Sequence, residues 1–405
     1  VRAVFVNHCH PAMEHVCALR ARCFAEAMSG RGHQVILLTE TLPGGGATEL
    51  ETLPSALAGH DWSRPFGVAV EPMHDRILDA IRDGRLPWGV RQAAIAYRYF
   101  KDAGLFSDWR KAAQPYVETI AQAFEPDVIW ATFGNTDTWN IAQDLAWAAA
   151  CPWVGDIKDN WQNFIPRGFR RRLAARYRDA THLTAFSEGQ LREADLWFGR
   201  EKTVLYSGFD EVLLQGSEPT PEAGFRIVLT GSIYHEENLA VLVRAIAAWV
   251  GTADRVGVGE VTFVYAGNEK ERVERLTRPL EGVCRREIHG FLQLEALYAQ
   301  QRSASINLYV RMPGKFIFHH KLFELLAAGQ PAACFPEETD EALRLVADAR
   351  GTFHSCRDEA ALCQALDAAF SAAGDRPDLD RLRRYSWAGQ AFILERVLGS
   401  ARAAK

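Results

Sequence analysis

Lys321 and Glu324 stand three residues apart in FIFHHKLFELLAAGQPAACF, residues 316–335, with His319 and His320 just before them. Phe318, Leu322, Leu325, Leu326 and Gly329 fall on one face at helical spacing. Gly329 suits the left-handed residue after a helix, and Pro331 forbids continuation. PAACF then reads as a short buried strand. Lys321 and Glu324 share a face, as do His320 and Glu324. A helix start offers unpaired N–H groups and the positive end of its dipole, and phosphate is the usual guest. Lys321, with a protonated His319 or His320, makes a diphosphate a good fit. Glu324, one turn deeper, is suited to accept hydrogen bonds from a diol such as a ribose. The plain alternative is a surface i,i+3 pair worth ~0.3 kcal/mol.

Two more turns point the same way. In TGSIYHEENL, Gly231 and Ser232 end a strand and Glu236 opens the next helix. Gly231 lets the backbone approach a ligand closely, although a lone glycine there is more often an ordinary turn. HGFLQ ends another strand at Gly290. The three turns together suit a nucleotide diphosphate.

Nearer the start, NHCHPAMEHVCALR gathers His8, Cys9, His10, His15 and Cys17. These residue types invite a metal, but the spacings match no zinc framework. His15 also falls inside a helix expected from about Ala12 to Ser29. No metal and no cofactor is expected. GDIKDNW sets Asp156 and Asp159 at a strand end, where either can orient an acceptor hydroxyl or take its proton. As turn or capping residues they need no function. PRGFRRRLAARYR holds Arg167, Arg170, Arg171, Arg172 and Arg176 among Phe169, Leu173 and Tyr177. Such a helix can touch anionic headgroups, or be a solvated face with internal salt bridges.

The elements that must hold these residues alternate along the chain. VRAVFV, GHQVILLT, PDVIWAT, CPWVGD, HLTAF and KTVLYS read as strands separated by helices. Residues 43–124 read as mostly helical, with room for an inserted element. GFDEVLLQGSEPTPEAG, rich in Gly, Pro, Ser and Glu, reads as a linker. The rhythm then restarts with FRIVLTGS, VTFVYAG, REIHGF, ASINLYV and PAACF. Apolar strands alternating with helices predict parallel sheets covered on both faces. The expected fold is α/β, two doubly wound Rossmann-like domains facing across a cleft. Residues 1–206 form the first, 207–224 the linker and 225–385 the second. Ligands of such sheets sit beyond the carboxyl ends of the strands.

Composition narrows the function. With 405 residues, 48% hydrophobic and 24% charged, the chain suits a soluble protein of two or three domains. A net charge of −5 argues against a general nucleic-acid binder. No apolar run approaches the ~18 residues of a membrane span, and VRAVFVN begins the fold with no signal peptide. The eight cysteines form no C-x-x-C pair, which fits reduced thiols in a cytoplasm. Neither GxxxxGK[ST] nor a GxGxxG after a strand occurs, so ordinary nucleotide hydrolysis and dinucleotide binding lose support.

HHKLFELLAAGQPAACFPEE resembles the nucleotide-sugar motif of GT-B glycosyltransferases, family 4 in particular. RCFAEAMSGRGHQVILLTET, VGDIKDNW, LTAFSEGQLREA, VLYSGFD, LTGSIYHEENLAVLVRAI, FVYAGNE and EIHGFLQLEALYAQ are similar to successive segments of that family. YSWAGQAFILERVL resembles its closing helix, which implies that residues of about 386–400 pack back on the first domain. The resemblance implies a retaining, metal-independent transfer of a sugar from a nucleotide diphosphate, UDP ahead of GDP, to an acceptor hydroxyl in glycan or polysaccharide synthesis. It implies that Glu324 holds the ribose. Phe318, His319, His320 and Lys321 lie near the diphosphate with Gly231, Ser232 and His235, and Phe291 lies by the base. His8, Glu14 and Asp159 then belong to the acceptor side, and Asp156 and His10 to catalysis. Two departures matter. Phe316 stands where many members have a sugar-binding Glu, and no Lys or Arg follows the Gly231–Ser232 turn. Neutralisation of the leaving group then falls to Arg311, Lys315, Lys321 or a histidine. The acceptor is a glycan, a lipid-linked glycan or a small molecule, and the protein is cytoplasmic or peripheral at the inner face of a membrane. An epimerase or hydrolase on the same fold, and a non-catalytic nucleotide- or glycan-binding partner, are the rival expectations.

Overall fold

The computed structural model describes residues 1–215, 224–233, 235–252, 261–312, 319, 321–371 and 377–404. The chain divides into two compact units, residues 1–207 with 387–405, and residues 208–386.

The first unit holds a seven-stranded sheet in the order β3-β2-β1-β4-β5-β6-β7. Its strands are β1 (Arg2–Val6), β2 (Gln34–Glu40), β3 (Phe66–Val70), β4 (Val128–Thr132), β5 (Trp153–Ile157), β6 (His182–Ala185) and β7 (Lys202–Val204). Every recorded pairing is parallel, as in Val4 opposite Ile36 on one side and Ile129 on the other. β4 and β5 are buried along their whole length. That is the pattern of strands covered by helices on both faces. β3 lies in the stretch read from sequence as mostly helical. FGVAV alternates buried and less buried residues because β3 is an edge strand, and helices follow it at Arg76–Arg82, Trp88–Asp102 and Ser107–Ala123.

The second unit holds a six-stranded sheet in the order β10-β9-β8-β11-β12-β13. The strands are β8 (Phe225–Thr230), β9 (Val261–Ala266), β10 (Arg285–His289), β11 (Ile306–Val310), β12 (Ala332–Phe335) and β13 (Phe353–Ser355). β13 is a further correction, being only three residues long and half-buried at an edge. Its core joins Leu229, Leu242, Ile246, Trp249, Phe263 and Leu308. The order of strands reverses between β1 and β4 in one sheet and between β8 and β11 in the other, the usual ligand end of a doubly wound sheet.

The helix Trp387–Ala403 packs on the first unit. Leu394 and Leu398 are fully buried beside Phe24 and Trp130, and the Trp387 ring meets Phe24 edge-on at 5.4 Å. His33 Nε2 lies 2.9 Å from Glu395 Oε1, and Arg31 pairs with the same carboxylate. The helix after β1 runs Val16–Gly30, not from Ala12. His15 is its N-cap, accepting from the Cys17 N–H at 3.2 Å, so residues 8–15 form a loop.

Candidate functional site

In the second unit the chain leaves β8 through Gly231 at φ +93°, a conformation that L side chains rarely adopt. Gly231 N–H donates to Ala266 O at 2.8 Å, and Gly267 N–H donates to Gly290 O at 3.2 Å. The ends of β8, β9 and β10 are thus laced together by backbone. Tyr265 Oη donates to Gly231 O at 3.0 Å. A Cβ on Gly267 would lie 2.3 Å from that hydroxyl and 2.7 Å from Gly231 O. A Cβ on Gly231 would lie 1.1 Å from Lys321 Nζ. Both glycines are therefore required by close approach, and Gly231 makes room for an ammonium group over the strand end. Sequence spacing did not single out Gly267 or Tyr265.

The described helix is Lys321–Ala327, shorter at its start than the sequence pattern suggested. Lys321 Nζ donates to Thr230 O at 2.8 Å. Burial lowers the Lys321 pKa to about 8, against the pull of Glu324 and Glu269. Glu324 accepts from Gln301 Nε2 at 2.6 Å, and burial raises its pKa despite that bond and Lys321. The two side chains thus take separate partners instead of closing on each other as a surface pair. Gln301, itself fully buried, carried no sequence signal.

Glu338 is 7% exposed. It accepts from Tyr309 Oη at 2.8 Å and from the His319 N–H at 3.2 Å, and it pairs with Arg311 Nε at 3.2 Å. Arg311, named as a leaving-group cation, is a buried partner of Glu338 that also donates to Glu337 O. That is a correction, since its guanidinium is spent on the fold. His319 Nδ1 accepts from the Lys321 N–H at 3.3 Å and so holds the start of the helix. His235 caps the helix Glu236–Val250, with Nδ1 accepting from Asn238 N–H at 3.4 Å. Ser232 is half-buried beside Gly231. Phe291 is 51% exposed after β10. Lys315, Phe316, Phe318 and His320 lie outside the described residues. A cation from another helix does reach this turn, though it is paired with Glu236 at 3.3 Å. Arg272 Nη1 donates to Ile233 O at 3.1 Å, from the helix Lys270–Leu276.

In the first unit Asp156 is not an open carboxylate. It is fully buried, and both its oxygens accept from Arg20, Oδ2 from Nε at 3.1 Å and Oδ1 from Nη2 at 2.9 Å. Thr184 Oγ1 also donates to Oδ1, at 2.7 Å. The catalytic assignment of Asp156 is corrected to a structural one, because the carboxylate is fully buried and both its oxygens are held by Arg20 and Thr184. His10 Nδ1 accepts from Ala12 N–H at 3.2 Å, and burial lowers its pKa. Glu14 is exposed.

His8 and Asp159, by contrast, come together with cysteines. His8 Nε2 lies 3.2 Å from Cys9 Sγ, and Lys158 Nζ donates to Cys17 Sγ at 3.1 Å. Asp159 Oδ1 pairs with Lys158 at 3.3 Å, and its Oδ2 lies 3.8 Å from Cys17 Sγ. The Cys9 thiol, with His15 and Lys158, holds Cys17 down to about 3 against burial, while Cys9 itself is pushed far up. Burial raises the Asp159 pKa and lowers that of His8.

The arginines after Pro166 are mostly turned onto the protein. Arg170 donates to Ile165 O at 2.9 Å, Arg176 to Asn140 Oδ1 at 3.1 Å and Arg172 to Phe100 O at 2.9 Å. Arg167, Arg171 and, despite its bond, Arg172 are exposed. Among the described residues no helix is long and apolar enough to cross a membrane.

No family model and no curated protein matches the sequence. Solved structures match over the whole chain. The UDP-forming α,α-trehalose-phosphate synthase of Burkholderia xenovorans, solved with glucose-6-phosphate, superposes with a TM-score of 0.62 at 14% identity, covering 98% of this chain and 100% of that one. Anabaena HepE with UDP-glucose gives 0.56 at 13% identity, over 100% and 97%. A Listeria monocytogenes protein assigned as a UDP-N-acetylglucosamine 2-epimerase gives 0.59 at 10% identity, over 100% and 97%. The chain has a GT-B fold. Its two Rossmann-like units correspond to the two of these neighbours.

Proposed function

We propose that the protein is a glycosyltransferase that moves a sugar from a nucleotide diphosphate, UDP ahead of GDP, to an acceptor hydroxyl with retention. The observation that carries the reading is the seat of Lys321 Nζ over Gly231, at the ends of β8 and β9. A cation held over bare backbone at the carboxyl end of such a sheet suits a diphosphate. In this reading Glu324, which accepts from Gln301, holds the ribose hydroxyls. Negative charge grows on the leaving diphosphate as the glycosyl bond breaks, and a preorganised ammonium stabilises it. Lys321 supplies that charge without a metal. The neighbours solved with UDP-glucose or called UDP-forming support UDP as the carrier. The pathway we infer is glycan or polysaccharide synthesis.

Titrating UDP, GDP, dTDP and their sugar conjugates into wild type and Glu324→Ala tests the donor site. The expected result is selective binding of one uridine conjugate, weakened at least tenfold by the substitution. Binding of no nucleotide, or indifference to Glu324→Ala, would overturn the assignment. The epimerase neighbour favours a second reading on the same site. Incubation with the bound conjugate alone separates them, since an epimerase alters the sugar with no acceptor and a transferase does not.

A further inference from the structure

A second set of chemistry lies at the carboxyl end of the sheet of the first unit. His8 and Cys9 follow β1, Cys17 is the second residue of the helix Val16–Gly30, and Lys158 and Asp159 follow β5. β1 and β5 flank β4, so the loops meet at the switch point of the first sheet. One donor atom from each of His8, Cys9 and Cys17 lies within 4.8 Å of the other two. Cys9 and Cys17 are 4% and 1% exposed.

We infer that His8, Cys9 and Cys17 bind a divalent cation of the zinc class, with the fourth position open to Asp159 or water. Zn–S near 2.3 Å and Zn–N near 2.0 Å place tetrahedral neighbours about 3.3–3.8 Å apart. His8 Nε2 to Cys9 Sγ is 3.2 Å, and Cys17 Sγ to Asp159 Oδ2 is 3.8 Å. These ligands need little rearrangement to close on an ion. His15 Nδ1, 3.5 Å from Cys9 Sγ, is the poorer fourth ligand, because its lone pair caps the helix at Cys17 N–H.

The ring of His8 is seated for this. A Cβ on Gly134 would fall 2.0 Å from His8 Cε1, so glycine there opens the slot that the imidazole fills. Among the described residues His8 Nδ1 is buried without a hydrogen-bond partner, and Cys9 Sγ is the polar contact of Nε2. Binding through Nε2 breaks no other bond of the imidazole. An ion that displaces the Cys9 proton leaves two thiolates and Asp159 to balance the cation and Lys158. Lys158 keeps its bond to Cys17 Sγ from outside the coordination sphere, the position of an outer-shell partner that orients a ligand. Soft thiolate donors select zinc-class ions over the magnesium that a diphosphate would recruit. The site therefore does not replace Lys321 in handling the leaving group.

The test uses the full, reduced chain kept free of air. Zn2+ is competed against a chromophoric chelator, and Co2+ is added to a separate sample. We expect one tight equivalent of Zn2+, weakened at least a hundredfold by Cys9→Ser or Cys17→Ser and unchanged by Cys151→Ser. Co2+ should give an intense near-ultraviolet thiolate-to-metal band. Zn2+ held no tighter than by the Cys9→Ser/Cys17→Ser double variant would overturn the inference. So would bound Co2+ without the thiolate band. The cobalt spectrum is read on the unaltered chain, so it decides the matter even if the serine variants fail to fold. Neither readout depends on nucleotide binding.

Discussion

At the residue scale, the donor site turns on one glycine and one lysine. A side chain at Gly231 meets two penalties, the φ of +93° and Lys321 Nζ at 1.1 Å from its Cβ. The left-handed backbone alone costs an L residue roughly 1–2 kcal/mol. Gly231→Ala is therefore expected to lower stability by about that much in urea denaturation. It should also weaken nucleotide binding more than tenfold, because the ammonium is displaced. Lys321 carries a pH signature as well. Burial lowers its pKa from 10.5 to about 8, so the folded state holds its charge less readily than the unfolded one. The cost is fully present below pH 8 and disappears as pH rises toward 10.5, so stability climbs through that window. Lys321→Met should flatten the climb. A bound diphosphate favours the charged form, so affinity should be level below pH 8 and fall above it. Calorimetric titration at pH 8.5 in buffers of different ionisation enthalpy should then register proton uptake, about one at most. No uptake would mean that Lys321 does not touch the phosphates.

At the scale of elements, Arg20 fastens the first helix to the sheet. From within Val16–Gly30 it reaches Asp156 on β5, Leu205 O at 2.9 Å and Ser207 Oγ at 3.1 Å. Both members of the ion pair are fully buried. Removing one leaves an uncompensated charge, a loss of about 3–5 kcal/mol. Asp156→Ala should show that loss as a lower urea midpoint. Asp156→Leu combined with Arg20→Leu should be milder than either single change. If Asp156→Ala instead kept full stability and lost only activity, the carboxylate would be catalytic after all. The same helix also sets Cys17 beside Cys9 and Lys158, so its exact starting residue matters. The sequence pattern let it begin near Ala12 because apolar spacing does not register where a histidine caps a chain. His15 ends the loop by accepting from Cys17 N–H.

At the scale of the whole molecule, the two units carry separate cores of unequal connectivity. The second is drawn from residues between Phe225 and Phe370. The first needs Leu394, Val397, Leu398 and Ala401 from the far end of the chain to cover Phe24, Met28 and Leu37. Residues 208–386 expressed alone are expected to unfold cooperatively and to bind the same nucleotide. Residues 1–207 alone should expose that apolar face and bind a hydrophobic dye. A cooperative transition from 1–207 would show the closing helix to be dispensable.

Much of this was fixed by the order of residues alone. Alternating apolar strands and helices can bury their faces only as parallel sheets, so the fold class followed from pattern and the structure agrees. Gly231, Lys321 and Glu324 were legible because a strand end, a helix start and a carboxylate one turn later leave a local mark in sequence. β3 and β13 escaped, being edge strands whose half-buried pattern is weak. What tertiary structure decided were the partners. Asp156 and Arg311 look like open charges in sequence, yet Arg20 and Glu338 close on them from 136 and 27 positions away. Gln301 reaches Glu324, Arg272 reaches the Gly231 turn, and Lys158 reaches Cys17, each across a gap that no local spacing records. Local sequence sets which groups a loop can offer. Only the meeting of loops at the ends of a folded sheet sets which of them are spent on the fold and which remain for chemistry.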